Sequence, residues 1–307
     1  MAFQTHLSAI LPKLLETIPD EVKARAQAQL ALAPDSAKTD DFIEIYLPLA
    51  SLIHARMRAQ QGLSAQMATA LGIASVHTPF LIGMAGSVAV GKSTAAQLLQ
   101  QALASWPQHL DVALVTSDGF LFANAELERR GILDRKGFPE SFDTQQLADF
   151  LFRLKSGESG VTAPLYSHVT YDIETGQQQV LHTPDIVIIE GINVLQPQPS
   201  NAATDHSIAS DFFDYAIYLH AEESLIKQWY QTRFLALTEA AAQDPASFYA
   251  RFVALTPEQR LAMIEFVWSG INGRNLASHI LPTRCRADLI LHKGPGHKIT
   301  HFELRNH

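Results

Sequence analysis

The 307-residue chain is 47 % hydrophobic and 18 % charged with a formal net charge of −8, a balance that excludes a disordered polyelectrolyte and supplies a large core. No run of basic residues offsets the acidic excess, which argues against nucleic acid as a partner. Cys285 is the one cysteine, so neither an intramolecular disulfide nor a cysteine-built metal cage can form.

The opening "MAFQTHLSAILPKLLETIPDE" has no positive head before an apolar run and is not read as a signal peptide. No stretch approaches the roughly 20 apolar residues of a membrane span, so a cytoplasmic protein without a membrane partner is expected. Residues 7–32 and 40–61 are predicted helices, the second with Phe42, Ile45, Tyr46, Leu49, Leu52 and Ile53 on one stripe. They precede the first convincing strand, which makes 1–75 an N-terminal helical extension and 76–307 the α/β core of a single domain.

"PFLIGMA" (79–85) is a continuous apolar run, as a strand buried on both faces of a parallel sheet requires. Runs of the same kind recur at 111–118, 185–191, 214–220 and 287–293. Helical patterns at 143–155, 222–241 and 257–277 separate most of them, the last opening with a Thr256–Gln259 capping box around Pro257. "QPQPSNAATDHS" (196–207) reads as an exposed loop. Strands alternating with helices predict a doubly wound, mostly parallel sheet.

Between the first such strand and its helix lies "AGSVAVGKST" (85–94), in which Gly86, Ser87, Val88, Ala89, Val90, Gly91, Lys92 and Ser93 match G-x-x-x-x-G-K-[ST]. The glycines let successive backbone N–H groups turn toward a phosphate at the positive end of the helix. Lys92 would reach the β and γ oxygens of ATP, and the Ser93 hydroxyl, next to Thr94, would hold Mg²⁺. The loop alone leaves hydrolysis, ligation and phosphoryl transfer open.

Phosphoryl transfer needs an anion beside the acceptor hydroxyl and cations around the moving group. Asp118, at the end of the second apolar run in "VTSDGF", stands where the carboxyl edge of the sheet binds ligands, and is the candidate base. Glu190 holds the matching place after "DIVII" and is the candidate acid for Mg²⁺. Tyr230, Arg233, Phe234 and Leu237 share a helix face, where an arginine calls for an anionic partner and could serve as a lid cation. "TAPLYSHVTYD" (162–172) gathers Tyr166, His168 and Tyr171 as acceptor-site candidates. The 13 histidines form no H-E-x-x-H array, so no catalytic zinc is expected.

The ordered segments "EIYLPLA", "AGSVAVGKST", "TSDGFLF", "RKGFPESFD", "TAPLYSHVTYD", "EGINVLQ", "SDFFDYAIYLHAEE", "WYQTRF" and "ILPTRCRADLIL" resemble the bacterial type I pantothenate kinases. Uridine kinases and phosphoribulokinase share the architecture but not "KGFPESFD" beside "SHVTYD". The resemblance implies ATP-dependent phosphorylation of pantothenate, the first step toward coenzyme A, in a homodimer. It implies Lys92 and Ser93 at ATP and Mg²⁺, Asp118 as base and Arg233 on the transferring phosphoryl. It also implies Tyr166, His168, Tyr230 and Asn272 around pantothenate and His297 near the adenine. The chain departs from the family at Gln97, where an arginine holds coenzyme A as inhibitor, and at Leu237 and Ala242, where phenylalanines line its thiol end. "LALAPDS" (30–36) also lacks an asparagine that some members direct at the nucleotide. The departures at Gln97, Leu237 and Ala242 imply that coenzyme A inhibits more weakly or through other contacts, and the missing asparagine bears on adenine recognition.

Overall fold

The computed structural model describes residues 3–7, 10–32, 41–74, 76–108, 110–197 and 208–305. The stretch 33–36 and most of the loop expected over 196–207 therefore lie outside the described residues. All five apolar runs are strands: β2 (Phe80–Gly86), β3 (Val112–Thr116), β6 (Ile186–Gly191), β7 (Tyr215–Ala221) and β8 (Leu289–Lys293). They run parallel in the order β8-β7-β2-β6-β3, with β2 and β6 buried throughout.

Two further strands correct the sequence reading. β1 (Phe3–Leu7) pairs antiparallel with β9 (Ile299–Arg305), and β9 pairs antiparallel with β8, closing a seven-stranded sheet. The N-terminal extension is thus not purely helical, because its first residues are joined to the C-terminal strand. A separate hairpin, β4 (Val161–Ser167) and β5 (Asp172–Leu181), carries the Tyr166–Tyr171 segment.

The helices are α1 (Ile10–Thr17), α2 (Asp20–Leu32), α3 (Leu47–Leu71), α4 (Lys92–Ala104), α5 (Asn124–Arg129), α6 (Thr144–Lys155), α7 (Glu223–Ala240) and α8 (Pro257–Val267). A π-turn, Phe42–Tyr46, leads into α3, which runs ten residues past the predicted end at 61 and stops at Gly72 in the left-handed region. α8 opens with the predicted capping box but ends early, passing into a π-turn at Trp268–Asn272. One buried cluster, from Leu11 through Leu81, Leu99 and Ile188 to Phe302, joins both faces of the sheet to the N-terminal helices.

The amino edge of the parallel sheet is pinned by aspartates that precede the strands. Asp214 accepts from Leu81 N (2.7 Å), Asp185 from Asp111 N (2.8 Å) and Asp288 from Ala216 N (2.8 Å). Each satisfies a backbone donor that would otherwise be stranded where pairing begins, an omission that costs about 1–3 kcal/mol per group. With register fixed at this edge, the opposite edge presents Gly86, Thr116, Gly191 and Ala221 together, and the site is built there. Among the described residues no helix is long and apolar enough to cross a membrane.

Candidate active site

β2 lies between β6 and β7, and the chain leaves β2 toward one side of the sheet and β7 toward the other. Such a switch point opens a crevice at the carboxyl edge, and Gly86–Gly91 turns inside it. Gly91 sits at φ 86°, and a Cβ there would lie 2.8 Å from the Lys293 ammonium nitrogen, so only glycine is accommodated. Ala89, at φ 61°, holds the same left-handed region with a side chain, a strain the turn imposes. The Ser87 hydroxyl is buried without a hydrogen-bond partner among the described residues, as suits a loop shaped for a polar guest.

Lys92 opens α4 and donates to the Ser87 carbonyl at 3.0 Å. Burial lowers its pKa, while Glu190 and Asp118 oppose that shift and Arg233 adds to it. Glu190 is itself buried at the end of β6 and accepts from the Ser93 hydroxyl at 2.8 Å. Hydroxyl and carboxylate together are the hard-oxygen donor set that Mg²⁺ prefers. Asp118 follows β3 in a short 3₁₀ turn, its N–H bonded to Thr116 Oγ1 at 3.3 Å. At the next residue a Cβ would fall 2.1 Å from the Pro164 carbonyl oxygen, so Gly119 lets the β4–β5 hairpin close over Asp118.

The hairpin brings the aromatic candidates together. The Tyr166 ring lies 5.2 Å from His168 and 6.0 Å from Tyr171, whose own ring stacks on Phe248 at 4.5 Å. Tyr230, on α7, lies 5.9 Å from Trp268 and hydrogen-bonds the Asn272 side chain in the π-turn. Burial raises the pKa of Tyr166, Tyr171 and Tyr230, with neighbouring tyrosines and Asp118 adding to the effect at Tyr166 and Tyr171, so all three phenols keep their protons. His168 is exposed at the hairpin turn, and His297, exposed beside the loop, stacks on Trp229 at 3.9 Å.

Arg233 is exposed, and among the described residues it has no ion pair or hydrogen bond, so the protein itself does not supply the anionic partner that its place on this face called for; Phe234 alone of that face is fully buried. Its electrostatic neighbours are Lys92, Tyr171, Tyr230 and Tyr249, which set a spare cation beside the phosphate loop.

The sequence reading missed three contributors. Lys136 donates to Asn124 Oδ1 and the Tyr171 carbonyl, both at 2.6 Å, and its ammonium lies 5.2 and 4.9 Å from the Tyr166 and Tyr171 ring centres. Buried Lys293 donates to the Val90 carbonyl at 3.0 Å, adding a second ammonium under the loop. Tyr249, in a 3₁₀ segment at Phe248–Phe252, faces the same aromatic space, its ring 5.6 Å from Phe234. No motif marks these residues; only the cation beside glycines in "RKGF" and "HKGPG" could have raised the question.

The comparisons with known proteins bear on this site directly. The profile of the Phosphoribulokinase / Uridine kinase family matches residues 81–233, from β2 to Arg233. The pantothenate kinase of Halalkalibacterium halodurans is 50 % identical over 267 residues, 87 % of this chain and 84 % of that one. The chain belongs to the pantothenate kinase family. Another member, from Nocardioides sp., is 45 % identical over 294 residues, covering 95 % and 89 % of the two chains. At the level of fold alone, the D-glycerate 3-kinase of Cryptococcus neoformans aligns with a TM-score of 0.54 at 14 % identity, over 84 % of this chain and 99 % of that one. As a member of its family the chain is a kinase, and the Gly86–Ser93 turn is its nucleotide-binding loop.

Lys293 yields a pH prediction. Burial, with Lys92 nearby, lowers its pKa to about 8 against the opposing pull of Asp41. The ammonium is therefore present below that value and lost as pH rises through it. If its charge assists nucleotide binding, kcat/KM for the nucleotide, which reports the free enzyme, should fall as pH rises through 8. In Lys293→Arg, whose charge persists, that fall should disappear; the same inflection in both enzymes would remove Lys293 from the site's electrostatics.

Proposed function

We propose that the chain transfers the γ-phosphoryl of ATP to the primary hydroxyl of pantothenate, releasing ADP and 4'-phosphopantothenate. The observation that carries this reading is one crevice in which the loop lysine, two strand-end carboxylates and an unpaired arginine meet a wall of protonated tyrosines. The names of the relatives support the same acceptor.

Gly86–Thr94 cradles the phosphates, with N–H groups of the loop and the Lys92 ammonium on their oxygens and His297 near the base. Ser93 and Glu190 hold Mg²⁺, which when bound neutralises phosphate charge. Asp118 orients the acceptor hydroxyl and takes its proton as the bond to phosphorus forms. A loose transition state leaves little covalent work, so this orientation and the Lys92 and Arg233 charges supply most of the acceleration. Tyr166, His168, Tyr171, Tyr230 and Asn272 surround pantothenate. Pantothenate, uridine and ribulose phosphate offered as acceptors in an ADP-release assay should give turnover with pantothenate alone, and a response to uridine alone overturns the reading. Asp118→Asn should retain ATP binding while kcat falls by about 10²-fold or more; an unchanged kcat removes Asp118 from the mechanism.

Coenzyme A is proposed to inhibit this enzyme weakly. Gln97 is exposed on α4 where other members carry an arginine, and Leu237 and Ala242 replace aromatic rings. A charge-assisted contact contributes about 1.5–3 kcal/mol, so Gln97→Arg should tighten inhibition about 10- to 100-fold at fixed ATP. An unmoved inhibition constant would place regulation elsewhere.

The homodimer implied by the resemblance gains support from Leu63, Met67 and Leu71, exposed at 59, 55 and 67 % and spaced four apart along α3. Met67→Glu should convert a dimeric sedimentation mass to a monomeric one, whereas a monomeric parent enzyme overturns the assignment.

A further inference from the structure

Away from the crevice, three histidines form a ladder across the sheet. His220 on β7 is in register with His292 on β8, which is in register with His301 on β9, so all three project from one face. The rings confirm this: His220 and His292 are 4.9 Å apart edge to face, and His292 and His301 stack at 3.9 Å. Glu303, two residues beyond His301 on the same face, completes a group with His292 and His301 whose ligand atoms all lie within 4.8 Å of one another.

The hydrogen bonds assign the free lone pairs. Thr300 Oγ1 has one proton and places it on the His292 carbonyl at 3.2 Å. Toward His301 Nδ1, 3.0 Å away, it can then only accept. The Nδ1 position therefore carries the proton, and His301 Nε2 is left as a donor lone pair. The carboxylate of Glu303 accepts on a single oxygen, Oε1, from His292 Nε2 at 2.7 Å and from Arg284 at 2.9 Å. Its other oxygen keeps its lone pairs.

We infer that His292 Nε2, His301 Nε2 and the Glu303 carboxylate form a binding site for a borderline transition-metal ion of the zinc class, with water in the fourth position. Two imidazoles and a carboxylate suit Zn²⁺, Co²⁺ or Ni²⁺ and discriminate against Mg²⁺, which demands an oxygen octahedron. A tetrahedral ion with bonds of about 2.0–2.1 Å requires donors roughly 3.3 Å apart, a change that modest side-chain rotations reach from the present spacing. The ion takes the Nε2 position from which His292 now faces Glu303, and the ring proton moves to Nδ1, so a neutral imidazole remains the ligand. Arg284 and Thr300 orient Glu303 and His301 from the outer shell, the arrangement by which metal ligands are ordinarily fixed. This site is independent of the kinase reading and lies on the strand that leads into Lys293.

The test is titration of the untagged full-length chain with ZnCl₂ in Mg²⁺-free buffer, read by calorimetry, with Co²⁺ as spectroscopic probe. One equivalent should bind, and Co²⁺ should show the intense visible bands of four-coordination. His301→Ala should abolish this binding while kinase turnover assayed with Mg²⁺ and no added Zn²⁺ persists, which shows that the variant is folded. Thr300→Val should weaken it by about 10- to 100-fold. Absence of a stoichiometric site, an octahedral Co²⁺ spectrum, or equal affinity in His301→Ala overturns the inference.

Discussion

A half-buried lysine with two carboxylates around its ammonium governs this molecule. Lys92 sits where burial favours its neutral form, yet a phosphate-binding lysine needs its proton. The opposing pull comes from two carboxylates delivered by different strands, Glu190 from β6 and Asp118 from beyond β3. Neither is near Lys92 in sequence; both arrive because β2, β6 and β3 are adjacent and in register, Met84 opposite Glu190 and Glu190 opposite Thr116. The sheet order is in this sense an electrostatic requirement. A slip of one residue in β6 would turn Glu190 to the opposite face and leave Lys92 with half its support.

The same carboxylates stay free for chemistry because the surplus of charge is positive. Arg233 and Lys293 flank the loop with no carboxylate of their own within hydrogen-bonding distance among the described residues, and Lys136 faces the tyrosines. Lys92 and Arg233 repel one another, and burial with Lys92 nearby pushes Lys293 toward its neutral form. A polyphosphate relieves all three at once, which is the sense in which the site is prepared for its nucleotide.

The parts of the fold that were legible in sequence share one property, burial on both faces. β2, β6 and β7 read as strands because apart from Glu190 and His220, each next to its strand's last residue, their residues are apolar or small whichever way they point. β5 is largely exposed and reads "DIETGQQQVL", and β9 reads "ITHFELR", so neither presents a run, and β1 gains its partner only from the far end of the chain. The site divides in the same way. Lys92, Asp118 and Glu190 announce themselves because each lies at or just beyond the end of a legible strand, whereas Lys136 and Tyr249 stand in irregular segments whose placement depends on tertiary packing, and Lys293, at the end of β8, has no motif to mark it. Helical spacing places Arg233 on one face with Tyr230 and Phe234, but a period fixes only an angle around the helix axis and not how far the neighbouring layer reaches, so its exposure had to come from the packing.

The hairpin illustrates how packing, once formed, creates what sequence could not show. β4 approaches the Asp118 turn so closely that Gly119 can carry no side chain, and Phe248 N bonds the Val169 carbonyl at 2.7 Å, tying the 3₁₀ segment to the hairpin turn. Val169 and Phe248, 79 residues apart in the chain, thereby bring two walls together, on which the Tyr171 and Phe248 rings stack at 4.5 Å. Exclusion of water is what makes each charge at the loop count, because the same Lys92–Asp118 attraction would be several-fold weaker in bulk solvent. The aromatic wall and the half-buried lysine are therefore one device: the first lowers the dielectric, and the second uses it.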